Sequence, residues 1–395
     1  MGAFFRVRRD GLGVAVGMQG MNTIIEKAVQ APYGLSHEEL VALLALDETD
    51  ELFQAAYRLK CRIIGKRVSL RGLVELGNHC AKDCYYCGIR RGNANVRRYR
   101  LSEDDVVRMA RWCFDARYGS VVLQSGEVES EANTAYIERV LRRIRAFGGD
   151  GFGVTLCLGE QTEEVYRRWR EAGAHRYLLR IESSVPALYA KLHPADHSQS
   201  RRIDCIRTLK RLGYQTGSGV MIGLPGQTLD DLAHDIEFYR AMDLDMIGMG
   251  PYLPHPDTPL GRDIELTPAY AAAQLKLGLK MIAVTRLYLH DVNIAATTAL
   301  QALDDKGREM GLLAGANVMM PNVTDTEYRK NYQLYTNKPC MEEHSEQCRN
   351  CLNARVLSIG ESILWGLRGD SRHYRGIGNG EQGTGNGEQG TGNGK

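Results

Sequence analysis

Cys80-Ala81-Lys82-Asp83-Cys84-Tyr85-Tyr86-Cys87 is the stretch on which the reading of this chain turns. Its three thiols form C-x3-C-x2-C and follow directly on a candidate strand, 71–77. The spacing lets one loop wrap a cubic iron–sulfur cluster, each thiolate reaching a different iron. Three protein thiolates on four irons leave one iron open, as a catalytic zinc site keeps one position free, whereas a structural site completes its four ligands. A zinc site completed by His79 or by a distant ligand is the competing reading.

Outward from this loop the pattern alternates between strands and helices. Candidate strands are 71–77, 119–124, 152–158, 176–181, 215–222, 245–249, 291–296 and 315–319. The helix after Ser102 sets Val106, Met109, Ala110 and Cys113 on one face, and the helix after Glu131 does the same with Ile137, Val140, Leu141 and Ile144. Eight such units over about 250 residues predict an α/β fold, a closed (β/α)8 barrel of TIM type. The last two units have poor periodicity, and a six-unit barrel with a capping region is the alternative. In a barrel, a loop at the C-terminal end of the first strand is where chemistry sits.

The chain divides into a leader (1–20), N-terminal helices (21–66), the barrel with a cysteine-bearing end (67–370) and a Gly-rich tail (371–395). Ser36 and Glu39 form a capping box for a helix carrying Leu40, Leu43 and Leu44, and a second helix is expected near 48–64. In the tail, GNGEQGT at 378–384 recurs at 385–391, and no apolar residue follows Ile377. Leader and tail are expected to be disordered, since neither can bury a core.

Of 395 residues, 50 are Lys or Arg and 48 are Asp or Glu, a net charge of +2 that speaks against a dedicated nucleic-acid binder. No apolar run is long enough to span a membrane, and no secretory signal is visible. Ten cysteines in a long chain with no such signal read as reduced thiols of a cytoplasmic protein. Cys61, Cys113 and Cys205 fall on helix patterns as small core residues, and Cys157 shares a strand face with Thr155. The remaining three, Cys340, Cys348 and Cys351, form C-x7-C-x2-C near the end of the barrel.

The loop motif, with an aromatic residue before its last Cys, resembles that of the radical S-adenosylmethionine (SAM) superfamily. The resemblance implies a [4Fe-4S] cluster on Cys80, Cys84 and Cys87, whose open iron binds SAM and whose electron cleaves it to a 5′-deoxyadenosyl radical. Successive strand ends supply matching positions. Gln124-Ser125-Gly126-Glu127 stands where the family holds the methionine ammonium, with Ser125 replacing a Gly. Thr155 closes the third strand. Arg180 and Glu182 end the fourth, and Glu182 is expected to meet ribose hydroxyls or the ammonium. Arg202 is expected to grip the SAM carboxylate bidentately. Met221, in Val220-Met221-Ile222-Gly223-Leu224-Pro225-Gly226, is expected to pack on adenine.

Longer segments resemble the HydE family of FeFe-hydrogenase maturases: Cys87-Gly88-Ile89-Arg90-Arg91, Tyr177-Leu178-Leu179-Arg180, Gly250 to Pro259, Ala296-Thr297-Thr298, Ala314 to Asn322, and Tyr332-Gln333-Leu334-Tyr335. The likeness runs from about residue 35 to 370, with Ala295 where the family has Pro. It implies action on a cysteine-bound iron carbonyl–cyanide complex supplied by HydG, passage of the product toward HydF, and a one-electron donor. It places Arg176, Thr297 and Thr298 at anion or carboxylate sites deep in the barrel, and Tyr332 and Tyr335 on the reaction chamber. It makes Cys340, Cys348 and Cys351 ligands of an optional auxiliary cluster, [2Fe-2S] or [4Fe-4S], completed by water or His344; zinc is the alternative. The five arginines of the loop Arg90 to Arg100 read as a solvated face or a partner surface. Rival readings are a mutase like methylornithine synthase, biotin synthase, and an iron–sulfur sensor without catalysis.

Overall fold

Eight parallel strands carry the fold in the computed structural model, which describes residues 18–343 and 345–378. They are β1 (Gly72–Gly77), β2 (Ser120–Ser125), β3 (Gly153–Cys157), β4 (Arg176–Leu178), β5 (Gln215–Ser218), β6 (Met246–Ile247), β7 (Asn293–Ile294) and β8 (Val318–Met319). β1 to β7 form one sheet in chain order. Backbone hydrogen bonds then close the ring. Asn317 N–H donates to the Ile294 carbonyl and Ala296 N–H to that of Val318, both at 2.9 Å, which joins β7 to β8. Leu73 N–H donates to the Pro321 carbonyl and Val323 N–H to that of Leu73, both at 2.8 Å, which returns the chain to β1. The result is the expected barrel.

The outer helices begin where the sequence supplies caps. Ser102, Ser130, Thr162, Ser198, Thr228 and Thr267 each accept a backbone N–H three residues on, a contact worth roughly 1 kcal/mol per helix. The apolar faces after Ser102 and Glu131 are buried as expected.

The helix that leads into the seventh strand lacks a clear period for a physical reason. In the helix Pro268–Leu289 every residue from Gly278 to Leu289 is buried. One side faces the barrel and the other meets the N-terminal helices His37–Ala45 and Asp50–Ile63. A helix covered all round has no polar stripe to reveal it. The capping box at Ser36 and Glu39 is present. Lys60, on the third N-terminal helix, is fully buried and bonds both oxygens of Glu361 at 2.6 and 2.7 Å.

Three features depart from the sequence reading. Two short strands, Arg67–Leu70 and Ser362–Ile363, pair in parallel beside β8. The run expected as one strand over 215–222 is broken, with Met221–Ile222 pairing separately to Gly250–Pro251. Helix Met18–Gln30 begins inside the segment assigned to the leader, and helix Arg372–Gly378 occupies the start of the segment assigned to the tail. The latter helix is anchored by polar contacts that apolar periodicity cannot signal. The rest of the leader (1–17) and the repeated tail (379–395) lie outside the described residues.

His373 provides that anchor, with Nε2 at 2.7 Å from Asp243 and Nδ1 at 3.2 Å from Asp291. The hydrogen bond to Asp291, opposed by burial and aided by Asp243, raises its pKa from 6.5 to about 9. Between those values the folded chain holds a proton that the unfolded chain has released, so this contribution is complete below pH 6.5 and is lost as pH rises through 9. Urea midpoints measured across that window are expected to fall with pH, and to fall less in His373→Asn.

Candidate active site

The cysteine loop leaves β1 and is shaped by its own polar groups. Asp83 accepts from Gly92 N–H and from Arg90, both at 2.8 Å. The Arg98 guanidinium donates to the carbonyls of Asn78, Ile89, Arg90 and Asn93. Part of the arginine-rich segment is therefore internal scaffolding, and Arg100 stacks on the Tyr136 ring at 3.9 Å. Tyr85 N–H donates to the Leu192 carbonyl, and Asp83 N–H to His197 Nε2. These bonds aim three thiols at one volume, where each is close enough to feel the others' charge.

That volume suits a cluster better than a single ion. Among the described residues, the only group of three His, Cys, Asp or Glu donors lying within 4.8 Å of one another involves none of these cysteines. A tetrahedral ion requires such closeness, whereas a cubane spreads its ligands over separate irons. Burial pushes all three thiols up, Cys84 to about 12, so an iron partner is needed to hold them as thiolates.

The turn after β2 seals one side. Glu127 N–H donates to Cys80 Sγ at 3.4 Å. A Cβ on Gly126 would stand 2.3 Å from the His79 carbonyl oxygen, so only glycine lets the turn meet the loop. Ser125 Oγ donates to the Gly126 carbonyl. Glu127 is buried, accepts from Glu160 N–H at 2.8 Å, and lies 3.2 Å from Lys82 without hydrogen-bond alignment. Burial raises its pKa, and Arg202 and Lys82 temper that.

The other strand ends converge nearby. Arg180 lies 2.9 Å from Glu182 and donates to the Val220 carbonyl, while its Nε has no partner. Glu182 adopts φ +64°, an unusual conformation for a residue with a side chain. Arg202 donates through Nε to the Arg180 carbonyl and through Nη1 to Glu160 at 2.6 Å. Two of its nitrogens thus already serve protein acceptors. Met221 sits in an apolar cluster with Leu188, Leu192, Leu224 and Tyr252, packed by Tyr86 of the cysteine loop.

Below these ends, Thr155 and Arg71 line a cavity of about 20 Å³ that also touches Met246, Asn293 and Val318. Thr155 Oγ1 and two Arg71 nitrogens are buried without partners. Arg71 was not singled out from sequence, although an arginine entering an apolar strand was a visible signal. Also missed were Glu75 and Lys338, a buried ion pair 263 residues apart, with Asn322 donating to the same carboxylate. Lys338 also donates to the Tyr332 carbonyl and sits 5.3 Å from its ring centroid. Tyr332 is buried, and its hydroxyl accepts from Gln124 at 3.2 Å. The Tyr335 hydroxyl is 2.9 Å from Thr298 Oγ1, and Thr297 Oγ1 is buried with no partner.

Arg176 does not join them. It opens β4, at the N-terminal floor of the barrel, and its Nη2 bonds Asp370 at 2.5 Å. Gln215 and Arg368 bind the same carboxylate. Asp370 thus faces the charge of this buried guanidinium from the floor, while Arg176 Nη1 is buried without a partner.

The second cysteine group is looser. Cys340 and Cys348 lie in mutual contact, while Cys351 is exposed one turn further along helix Ser345–Ser358. Arg329 braces the segment by donating to the carbonyls of Cys340 and Glu343. His344 lies outside the described residues.

Comparison with known proteins agrees with this geometry. The radical SAM superfamily profile matches residues 74–239. The crystal structure of methylornithine synthase superposes with a TM-score of 0.72 at 22% identity, covering 87% of this chain and 98% of that one. The FeFe-hydrogenase maturase HydG of Carboxydothermus hydrogenoformans gives 0.71 at 21% identity, covering 88% and 80%. At such identities the likeness concerns the fold. A barrel with three thiols crowning its first strand, matched by that profile, defines a radical SAM enzyme. Over 340 residues the chain is 41% identical to the FeFe-hydrogenase maturase subunit HydE of Thermotoga maritima, spanning 85% of this chain and 94% of that protein. The chain belongs to the HydE family and acts in hydrogenase maturation. Among the described residues, no helix is long and apolar enough to cross a membrane.

Proposed function

We propose that the substrate is a small anionic iron complex, a cysteine-bound mononuclear iron carbonyl–cyanide species. The observation that carries this reading is a set of buried donor atoms without protein partners: Arg71 Nε and Nη2, Thr155 Oγ1, Arg180 Nε and Thr297 Oγ1. Each such group costs roughly 1–3 kcal/mol unless a ligand completes it. Carboxylate and cyanide are acceptors and suit these donors. A lysine-like substrate would also bring an ammonium, and the unpartnered acceptors at the strand ends, Glu127 Oε1 and Glu182 Oε2, are the ones given to SAM below.

The cofactor residues follow the same logic. Cys80, Cys84 and Cys87 hold the [4Fe-4S] cluster, which with SAM supplies a 5′-deoxyadenosyl radical when bound. The turn Gln124-Ser125-Gly126-Glu127 receives the methionine ammonium, and Glu182 the ribose hydroxyls or that ammonium. Thr155 and Arg180 border the same space. Arg202, already tied to Glu160, contributes charge near the SAM carboxylate. Met221 and its apolar neighbours pack on adenine. Tyr332 receives a hydrogen bond from Gln124, which leaves its own proton free for the chamber. Tyr335 and Thr298 orient each other, and Thr297 offers a donor beside them.

Cys340, Cys348 and Cys351 hold an auxiliary iron–sulfur cluster that the main reaction does not need. The double variant Cys348→Ser/Cys351→Ser is expected to bind less iron and still cleave SAM; loss of cleavage in folded protein would reject this division. HydG is the upstream source of the iron complex, HydF the downstream recipient, and a one-electron donor reduces the cluster.

The test is anaerobic turnover of reconstituted protein with SAM and dithionite, comparing a synthetic iron–cysteine complex with lysine. The iron complex is expected to accelerate 5′-deoxyadenosine formation. Acceleration by lysine alone would favour the mutase reading.

A further inference from the structure

On the outer wall, away from the cysteine loop, two histidines and two carboxylates meet where an N-terminal helix crosses a barrel helix. His37 opens helix His37–Ala45, and Asp230, His234 and Glu237 lie on one face of helix Leu229–Ala241. His37 Nε2 is 2.8 Å from Asp230 and His234 Nε2 is 3.5 Å from it. His37 Nδ1 is 3.0 Å from Glu237 and His234 Nδ1 is 3.4 Å from it. Both rings therefore point one nitrogen at each carboxylate, with ring centroids 4.4 Å apart. One ligand atom each from His37, Asp230 and His234 fall within 4.8 Å of one another.

The arrangement does not balance with neutral rings alone. A neutral imidazole carries one N–H, so two of the four nitrogens would set a lone pair against a carboxylate oxygen. Protonating both rings places two cations face to face, and protonating His37 alone leaves His234, at 3.5 and 3.4 Å from the two carboxylates, without a hydrogen bond to either. A divalent ion would engage both rings at once. With Nδ1–H of both rings given to Glu237, both Nε2 lone pairs and Asp230 are free to share one cation. A carboxylate holding the distal N–H of a metal-bound histidine is the recurrent outer-shell device for fixing its tautomer. Ligand atoms about a tetrahedral zinc ion stand roughly 3.3 Å apart, given bonds near 2.0–2.1 Å. The observed spacings bracket that value. The donor set, two imidazoles and a carboxylate, suits zinc and its neighbours over calcium or magnesium.

We propose that His37, Asp230 and His234 form a site for a divalent transition metal, zinc being the representative ion, with Glu237 orienting both histidines and water completing the shell. The ion clasps the N-terminal helices onto the barrel. Its ligands come from residues 37 and 230–234, so it closes a long loop of chain without touching the cysteine clusters.

The test uses the anaerobically reconstituted full-length protein. Zinc is titrated against a chromogenic chelator, and the ligand shell is read by zinc-edge X-ray absorption. The wild type is expected to take up one zinc beyond its cluster iron, with a nitrogen–oxygen shell and a zinc-dependent rise in melting temperature. His37→Ala and His234→Ala are each expected to lose at least tenfold in affinity, and the melting shift with it. His234 is exposed, so that variant tests binding apart from folding. A sulfur-rich shell, unchanged affinity in both variants, or no stoichiometric zinc at micromolar concentration would overturn the proposal.

Discussion

Cys84→Ala protein, reconstituted anaerobically and reduced with dithionite, is expected to form no 5′-deoxyadenosine from SAM. The loop around Cys84 is held by Asp83, Arg98 and the backbone of Tyr85, none of which depends on the Cys84 thiol. The substitution therefore removes a ligand and leaves the surrounding framework. Even outer-shell changes cost about 10- to 100-fold in metal affinity, so loss of a direct ligand should leave activity below about 1% of wild type. Iron analysis should show loss of the cluster at the barrel mouth, and any iron held by the proposed second site should be unaffected. Retained SAM cleavage would refute the assignment of the first triad.

The second large effect concerns stability. Asp370→Asn is expected to destabilise the fold by about 3 kcal/mol or more, because it strands the buried charge of Arg176. Arg176 has no side-chain exposure, and Asp370 is 11% exposed. Burial lowers the Arg176 pKa to about 10, with Asp370 opposing the shift. Burial would raise the Asp370 pKa, but His175 and Arg176 hold it below the usual carboxylate range. The fall is read as a lower urea midpoint at unchanged slope. The same variant separates two roles for Arg176. A floor clamp predicts lost stability with the remaining folded protein still turning over substrate normally. A substrate ligand would instead raise KM for the iron complex at unchanged stability.

Much of the fold was legible because local rules and the global fold agree. Ser36 with Glu39, and Ser102, announce helices that exist, and the apolar faces they precede are buried. The triad Cys80, Cys84 and Cys87 was legible because one loop supplies all three ligands. Long-range pairings were not. Glu75 and Lys338 are 263 residues apart, and nothing local ties either to the other. Short strands such as Arg67–Leu70 and Ser362–Ile363 carry too few residues for a period. Helix Pro268–Leu289 hides its period because its second half, Gly278 to Leu289, is buried on all sides. Arg176 is the first residue of its strand and so stands at the floor, opposite the end where barrels carry chemistry. What sequence could not supply was Asp370, the partner that takes its charge.

The three thiols of the first loop and the strand ends around them are expected to bind and reductively cleave SAM. Electron paramagnetic resonance of the dithionite-reduced protein, recorded before and after adding SAM, tests it most directly when paired with product analysis. The expected result is a reduced cluster signal that SAM changes, with 5′-deoxyadenosine and methionine appearing in equal amounts. A fully reconstituted protein whose signal is indifferent to SAM, and which releases neither product, would contradict it.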